Sequence, residues 1–271
     1  MADSVEVWTS AACKKYLKKP KESDHKYSRG VLSCITGSRK YPGAALLTTS
    51  AAIATGVGMV RYLGPNSVSK SVVLNRPTVV ITKGRSDALL LGSGIADGFS
   101  IENLFRRYLL AKANRLTLPK VLDAGALYLV RHVNAPTIIT PHVGELSKLL
   151  NVEASEISSD PIKYAQLAAK EFQVTVLLKG HETVVANPDR VIKLPPASSY
   201  LASAGTGDIL AGILGALIAI NKSEVGNENL IEIGATASFI HAQAANEKSI
   251  GPINSTEMLV SISKIVTQLT E

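Results

Sequence analysis

One short turn in this sequence combines the residue types needed to hold a phosphate and to move a proton. Gly205, Thr206, Gly207 and Asp208 stand directly before the apolar run Ile209–Leu214. Two glycines allow the backbone to bend until several N–H groups converge, and a helix that starts there adds the positive end of its dipole. The turn therefore predicts a site for a phosphate, or for negative charge that develops in a transition state.

Asp208 lies at the mouth of this predicted positive site. A carboxylate there is expected to stay ionised and to accept a proton from a substrate hydroxyl. The structural alternative is that Asp208 caps the helix and that the glycines only form a turn. The following helix is apolar on every side, and Gly212 and Gly215 permit close packing, so we expect a buried helix that could hold a catalytic base firmly.

Polar residues also follow two other apolar runs. His142 comes after Thr137–Thr140 and a proline, and Lys179 follows Val174–Leu178. Doubly wound sheets bind ligands at the carboxyl ends of their strands, so both side chains are candidates for binding. Structural roles remain open, as a helix cap or packing residue for His142 and as a strand-to-turn element for Lys179.

The elements that must position these residues alternate along the chain. Continuous apolar strands, as opposed to alternating ones, are typical of a parallel sheet that is covered on both faces. The predicted strands are Val31–Thr36, Met59–Leu63, Thr78–Thr82, Ala88–Leu91, Val121–Leu122, Thr137–Thr140 and Val174–Leu178, and the intervening helices are Ala44–Thr55 (opened by Pro42), Ile101–Ala113 and Ile162–Glu171. The fold class is therefore α/β, with a doubly wound, mostly parallel sheet and helices on both faces.

The last third of the chain departs from this alternation. Val184–Ala186 and Val191–Leu194 are separated by four turn-forming residues, which is too short for a helical crossover and predicts an antiparallel edge hairpin. Helices are predicted at Asp208–Asn221 and Leu230–Asn246. Asn254 and Glu257 have the spacing of a capping box at the start of the last helix.

The chain start is rich in lysine, and the 271 residues carry a net charge of +7. We predict a basic leader or helix over residues 1–24 and a single domain over residues 25–271. The lysines could attract phosphates, or they could simply be solvated. Aromatic residues do not alternate with basic ones and the sequence lacks zinc-finger and RNP patterns, so a nucleic-acid partner is not expected.

Cysteine usage and hydropathy indicate a cytoplasmic protein. Cys13 and Cys34 lack metal-ligand spacing, which favours a reducing compartment. The chain start does not have the continuous apolar segment of a secretory signal. The longest near-continuous apolar run, Ile209–Ile220, is well short of the roughly 20 residues that a membrane span needs, so no membrane association is expected.

Several segments resemble one known family. The run from Gly205 to Gly212 is similar to the signature of the ribokinase-like superfamily, and specifically of its NAD(P)H-hydrate dehydratase family, also called the YjeF C-terminal domain family. Further resemblances follow in family order, at His25-Lys26, Tyr41–Ala45 with Gly56–Gly58, Gly92–Asp97, Val121–Leu127, Thr140–Leu146 and Lys179–Thr183. Three positions depart from the family pattern, namely Tyr27 and Ala96 in place of Gly, and Ser93 in place of Pro.

The resemblance implies an activity and a set of site residues. ATP or ADP, with Mg²⁺, would phosphorylate the C6 hydroxyl of hydrated NADH or NADPH (NADHX, NADPHX), after which phosphate leaves and the ring double bond returns. The implied catalytic residues are Asp208, Gly205, Thr206 and Gly207, the NAD(P)HX-binding residues are Ala45, Gly94, His142 and Asp208, and the nucleotide-binding residues are Lys179, Gly180, His181, Glu182, Thr183 and Gly207.

The resemblance to related kinases bears on two more points. Many sugar and vitamin kinases of the superfamily carry Asn where this chain has His142, which favours the dehydratase branch. By analogy with those kinases, Glu145 would hold Mg²⁺ through water, although a first-turn Glu that complements the helix dipole is the open alternative.

The resemblance also implies partners, and rival functions stay open. A homo-oligomer (dimer or tetramer) is expected, as is cooperation with a separate NAD(P)HX epimerase, since the chain starts too near its first predicted strand to include that domain. One rival is a small-molecule kinase of the superfamily that acts on a sugar or a vitamin precursor. Another is a non-catalytic nucleotide-binding module, against which the intact turn at Asp208 argues.

Overall fold

The computed structural model describes residues 5–95, 101–247 and 251–271. Its strands are β1 (Glu6–Val7), β2 (Val31–Ile35), β3 (Met59–Tyr62), β4 (Ala88–Leu91), β5 (Lys120–Leu122), β6 (Thr137–Ile139), β7 (Thr175–Leu178), β8 (Val184–Ala186) and β9 (Val191–Lys193). Its helices are α1 (Ser10–Cys13), α2 (Pro42–Thr55), α3 (Asn66–Asn75), α4 (Ile101–Asn114), α5 (Val143–Leu150), α6 (Ala154–Ser159), α7 (Pro161–Phe172), α8 (Thr206–Ile220), α9 (Leu230–Asn246) and α10 (Met258–Thr270), with 3₁₀ segments at Lys14–Tyr16, Ala124–His132 and Ser199–Leu201.

The described strands form one sheet in the order β1-β9-β8-β7-β6-β5-β4-β2-β3. Neighbours from β3 to β7 are parallel, and β8 pairs antiparallel with both β7 and β9. The predicted α/β class, the mostly parallel sheet and the antiparallel edge hairpin are confirmed. Because the central strands are parallel, their carboxyl ends meet at one edge of the sheet, where ligands bind in such folds.

Helices cover both faces of the sheet. On one face α2, α3, α8, α9 and α10 enclose the larger apolar core, and on the other face α4 to α7 enclose a second core. The central strands are buried on both sides, which explains why their sequences are continuous apolar runs. No helix in the described ranges is both long enough and apolar enough to cross a membrane.

Helix α8 lies in the middle of the larger core. All residues from Ile209 to Ala219 are buried, as its sequence predicts. A Cβ atom added to Gly212 would lie 2.4 Å from the backbone oxygen of Thr48 on α2, so only glycine permits this approach of the two helices. The start of α8 is therefore held in place by backbone-to-backbone packing, which tolerates little movement.

The basic N-terminal segment is anchored to this core. Its lysines are exposed, as expected for solvated side chains, but Trp8, Cys13 and Tyr16 of the same segment are buried. Strand β1 extends the sheet by pairing in parallel with β9. The segment thus packs its apolar residues against the core while its lysines face solvent, and the domain boundary at residue 25 stays a prediction.

Two predicted elements differ from those observed. Thr78–Thr82 is not a strand, because only Val80 forms a bridge, to Arg61, and only Val79 of the segment is buried. The backbone of Val80 pairs with β3 at Val60 and Tyr62, while Thr78, Ile81 and Thr82 are exposed, so the segment adds a single bridge to this edge of the sheet. The last helix begins at Met258, and Asn254 instead accepts hydrogen bonds from the backbone and hydroxyl of Thr256, so the predicted capping box is not formed.

The close approach of α2 and α8 leads to a prediction about the stability of the fold. Gly212→Ala should destabilise the fold by about 1–3 kcal/mol, because its methyl group must displace the backbone at Thr48. Gly43→Ala is the matched control, since a Cβ atom at Gly43 meets nothing within 4 Å, and the better helix propensity of alanine should leave that variant as stable as wild type or more so. Urea denaturation midpoints measure both changes. Equal midpoints for the two variants would contradict the packing argument.

Candidate active site

The turn before α8 has the conformation that its glycines predict. Gly205 adopts a left-handed conformation with φ of 89°, and an added Cβ atom would lie 2.6 Å from Leu47 Cδ1. The hydroxyl of Thr206 donates to the backbone oxygens of Leu201, at 2.8 Å, and Ser203, at 3.0 Å. The first N–H groups of α8 have no side-chain cap, so they remain available to a ligand.

Two neighbouring elements hold the turn in place. Ser255, in the segment before α10, donates its hydroxyl to the backbone oxygen of Ala204 at 2.7 Å. His241, on α9, lies with Nε2 2.9 Å from the backbone oxygen of Thr206. The turn is therefore fixed from two sides before any ligand arrives, which lowers the cost of organising it around one.

Two cavities meet at this turn. The first, which we call the α2 cavity, has a volume of about 530 Å³ and is lined by the segment from Lys40 to Ala44 and by Gly94, Gly205 and Asp208. The second, the α9 cavity, has a volume of about 570 Å³, and its wall includes His142, the strand end at Lys179, Thr206, Gly207 and His241. Asp208 thus faces one cavity while Gly207 faces the other, so a group exchanged between ligands in the two cavities would pass the turn.

The carboxyl group of Asp208 has a raised proton affinity. Burial is the main cause and the negative charge of Asp123 adds to it, while Lys179 opposes them, and the pKa of Asp208 rises from 3.8 to about 7. The prediction that Asp208 stays fully ionised is therefore wrong near neutral pH, because burial outweighs the positive surroundings. A pKa near the working pH suits a general base.

The capping alternative for Asp208 is not supported. Among the described residues no N–H or O–H group donates to its carboxylate, and Gly205 occupies the N-cap position of α8. The side chain is partly exposed and lines the α2 cavity. Its carboxylate is therefore open to a ligand in that cavity.

A partly buried ion pair borders the turn on the other side. Lys179 Nζ lies 3.1 Å from Asp123 Oδ1 and 3.8 Å from Glu145 Oε2. Burial lowers the pKa of Lys179, but the charges of Asp123 and Glu145 outweigh it and the pKa is raised overall. A Cβ atom on Gly207 would lie 3.7 Å from Lys179 Nζ, so the ammonium group reaches the turn and could neutralise a phosphate there.

Asp123 is a site residue to which the sequence interpretation gave no role. It is 3% exposed, and it accepts hydrogen bonds from Ser93 at 2.8 Å and Thr140 at 2.7 Å as well as from Lys179. The available signal was its position directly after β5, at the same edge of the sheet as Lys179. Its carboxylate both orients Lys179 and raises the pKa of Asp208.

His142 and Glu145 cap α5 reciprocally. His142 Nδ1 accepts hydrogen bonds from the backbone N–H groups of Gly144, at 3.0 Å, and Glu145, at 3.3 Å. The Glu145 carboxylate in turn accepts from the backbone N–H of His142 at 2.8 Å. Both residues therefore have a structural role at the start of α5, where His142 is the N-cap and Glu145 lies in the first turn. His142 also lines the α9 cavity, beside Lys179, and does not line the α2 cavity as Gly94 and Asp208 do.

Most of the other predicted binding residues line one of the two cavities. Gly94 lines the α2 cavity, whereas Ala45 is fully buried in the first turn of α2 behind it. Four of the five residues from Lys179 to Thr183 line the α9 cavity. Glu182 instead pairs with Lys193 at 2.7 Å. Ala96 and Asp97 of the predicted glycine turn lie outside the described residues.

Within the described ranges, no three His, Cys, Asp or Glu side chains converge as a metal-binding group. Glu145 is one carboxylate with Lys179 close beside it. The described residues therefore do not form a complete coordination set. A cation at this position would need further ligands from a bound molecule or from water.

The fold and site together define a class. A mostly parallel α/β sheet carries, at one edge, a glycine turn at the start of a buried helix, a carboxylate with a raised pKa and an adjacent lysine. The overall structure matches an ADP/ATP-dependent NAD(P)H-hydrate dehydratase from Bacillus subtilis, co-crystallised with ATP and Mg²⁺, with a TM-score of 0.85 and 24% identity over 99% of this chain and all of that one. A hydroxyethylthiazole kinase from Pyrococcus horikoshii OT3 matches at a TM-score of 0.62, with 19% identity over 96% of this chain and 92% of the kinase. These likenesses establish the ribokinase-like fold.

The family follows from the sequence comparisons. The model of the NAD(P)H-hydrate dehydratase family matches residues 32–267, so this chain belongs to that family. A bifunctional NAD(P)H-hydrate repair enzyme Nnr from Mycobacterium leprae is 35% identical over 247 residues, which cover 86% of this chain and 49% of the relative. The Nnr of Corynebacterium glutamicum is 36% identical over 251 residues, 84% of this chain and 42% of the relative. The chain spans about half the length of these curated relatives. The predicted family is confirmed.

The raised pKa of Asp208 makes a pH-dependent stability prediction. Between pH 3.8 and about 7 the folded chain holds a proton that the unfolded chain releases, so stability falls as the pH rises through this window. The charge-neutral variant Asp208→Asn avoids this loss. Above pH 7 this variant should be more stable than wild type. The upper bound on the difference in unfolding free energy is about 1.4 kcal/mol for each unit of the pKa shift. The difference should vanish towards pH 4.

Urea denaturation midpoints across this pH range measure the effect. Asp189→Asn, at the exposed tip of the β8–β9 hairpin, removes a carboxylate without changing the site and should follow the wild-type curve. A constant difference between Asp208→Asn and wild type at all pH values would show that the Asp208 carboxyl titrates normally.

Proposed function

We propose that this chain dehydrates NADHX and NADPHX to NADH and NADPH at the expense of ATP or ADP. The observation that carries the proposal is the meeting of two cavities at one turn, with Asp208 on the α2 side and Gly207 and Lys179 on the α9 side. A reaction that passes a phosphoryl group from a donor to an acceptor hydroxyl requires this division. Membership in the NAD(P)H-hydrate dehydratase family supports the assignment of the acceptor.

In the proposed reaction the hydrated nicotinamide ring lies in the α2 cavity with its C6 hydroxyl at Asp208. The carboxylate accepts the hydroxyl proton while the oxygen attacks the terminal phosphoryl group of the nucleotide in the α9 cavity. The N–H groups at Gly205 to Gly207 and the Lys179 ammonium group compensate the charge on that phosphoryl group. The C6–O bond of the phosphate ester then breaks, a proton leaves the neighbouring ring carbon, and the ring double bond is restored.

The proposed donor enters as its Mg²⁺ complex. The Bacillus subtilis neighbour was co-crystallised with ATP and Mg²⁺, and in this chain Glu145 would hold the cation of such a complex through water. The nucleotide phosphates would complete the coordination that the protein side chains lack. Lys179, Gly180, His181 and Thr183 line the cavity that would hold the nucleotide.

The partners of the proposed reaction follow from its chemistry. The curated relatives are bifunctional repair enzymes, so an epimerase that interconverts the hydrate epimers is the expected companion activity. A homo-oligomer and a cytoplasmic location also stay predictions.

The direct test supplies NADHX, Mg²⁺ and either ATP or ADP to the protein and follows the absorbance of restored NADH. Recovery that depends on the nucleotide, with one phosphate released per NADH, is the expected result. No recovery with either donor would refute the proposal. A stable phosphorylated alcohol formed from a sugar or a vitamin precursor would instead identify a kinase.

Asp208→Asn tests the role of the base within the proposed reaction. We expect turnover to fall by about 10²- to 10⁴-fold, because the amide cannot accept the hydroxyl proton. Nucleotide affinity should change only a few-fold, since Asp208 faces the α2 cavity and the donor occupies the α9 cavity. Single-turnover kinetics and calorimetric ADP binding measure the two effects. Normal turnover in this variant would exclude Asp208 as the base.

A further inference from the structure

Two buried polar residues of α9 have hydrogen-bonding capacity that the described protein does not use. Ser238 and His241 lie almost one helical turn apart, are 4% and 8% exposed, and both contribute to the wall of the α9 cavity. Much of the surrounding wall is apolar and consists of Leu194, Pro195, Leu201, Leu210 and Ala242. Polar groups in such a wall usually have partners, and these two point to a partner that occupies the cavity.

The Ser238 hydroxyl has no hydrogen-bond partner within the described part of the chain. Most serines and threonines in helices can donate back to a carbonyl one turn earlier, as Thr236 does to Glu232 at 2.8 Å on the same helix. An unpaired buried hydroxyl costs about 1–3 kcal/mol. A rotation about one side-chain bond can turn the Ser238 hydroxyl towards a cavity ligand.

His241 is held in one protonation state and one tautomer. Burial lowers the pKa of His241 to about 4, so the ring is neutral at physiological pH. Its Nε2 faces the backbone oxygen of Thr206 at 2.9 Å, and since a carbonyl oxygen only accepts, Nε2 carries the proton. Nδ1 is then a pure acceptor, and none of the described residues donates to it.

An apolar wall with one fixed acceptor and one hydroxyl is complementary to a nucleobase. A purine ring buries its faces against aliphatic side chains and presents its polar edge to the few hydrogen-bonding groups present. A purine with an amino group at C6 can donate to Nδ1 through that group, whereas a purine with a carbonyl at C6 would place two acceptors against each other. Lys179 and Gly207, in the same cavity, provide the complementary place for the phosphates.

We propose that His241 and Ser238 recognise the base of the donor nucleotide, and that His241 selects a purine with an amino group at C6, such as adenine, over one with a carbonyl at C6, such as guanine. This inference rests on the proposed function, in which the α9 cavity is the donor site. The same histidine holds the turn at Thr206, so base recognition and the phosphoryl-binding turn share one side chain.

Two substitutions separate these two tasks of His241. In His241→Gln the amide N–H can still reach the Thr206 oxygen, but the acceptor at the Nδ1 position is lost. In His241→Asn the shorter amide can place its oxygen near the Nδ1 position, but the bond to Thr206 is lost. Calorimetric binding of ADP and GDP to the full chain measures base preference without any hydrated dinucleotide.

Wild type should bind ADP more tightly than GDP. His241→Gln should weaken ADP binding by about tenfold, the effect of losing a hydrogen bond to a ligand, and remove most of the preference over GDP. His241→Asn should keep the preference while its turnover falls, because the turn is less firmly held. An unchanged ADP-to-GDP ratio in a folded His241→Gln variant, or no preference in wild type, would overturn the inference.

Ser261 provides a matched control for Ser238. Its hydroxyl is also buried and without a partner in the described residues, but it lies on α10 and lines neither cavity. Ser238→Ala should weaken ADP binding about 3- to 10-fold, and Ser261→Ala should leave it unchanged. Equal effects would remove Ser238 from base recognition.

The binding and turnover measurements test the two proposals independently. A chain that prefers ADP but restores no NADH from NADHX would refute the proposed reaction and retain the base-reading role. A chain that restores NADH but binds ADP and GDP equally would refute the base-reading role alone.

Discussion

The site depends on a carboxylate that is kept largely out of water at the start of a buried helix. Desolvation and the neighbouring Asp123 charge favour the protonated form of Asp208, and Lys179 favours the ionised form. The balance places the pKa near neutrality, so the group can both accept and release a proton at modest cost. Neither the turn nor α8 could move far without altering this balance, because it depends on the distances between three charged groups.

The packing of α8 against α2 maintains those distances. The contact at Gly212 brings the two helices to backbone distance, and both helices begin at the edge of the sheet where the cavities open. The start of α2 lines one cavity and the start of α8 separates it from the other. A change in the α2–α8 packing would therefore alter the donor and acceptor cavities together, even though Gly212 touches neither.

The architecture and the central turn could be predicted from the sequence because their signals are local. Apolar runs specify buried strands, and two glycines before a wholly apolar helix specify the turn. The segment Thr78–Thr82 has the composition of a strand, but whether it pairs depends on how much apolar surface a neighbour offers, and beyond β3 the sheet offers little. Helix α3 escaped prediction because its buried residues, Val68 and Val72, are few.

Several parts of the site depend on contacts between distant segments, and no local pattern reports them. Asp123 and Lys179 are 56 residues apart, and His241 reaches a carbonyl 35 residues away. The raised pKa of Asp208 was not predictable either, because its main cause is burial. Residue type and spacing indicate a positive helix end but not how deeply the carboxyl group is buried. Ala45 and Glu182 show the converse, because sequence resemblance groups them with the site while packing and an ion pair hold their side chains apart from the cavities.

The neutral ring of His241 belongs both to the wall of the α9 cavity and to the contacts that hold the turn before α8. A charged His241 would add a cation beside Lys179 and would compete for the negative charge that the turn is built to receive, but burial keeps the ring uncharged. The ring therefore contributes only hydrogen bonds, one of which is already committed to the turn at Thr206. In the proposed reaction, Lys179 and the helix end thus supply positive charge at the turn beside the Mg²⁺ of the donor complex, where the phosphoryl group passes.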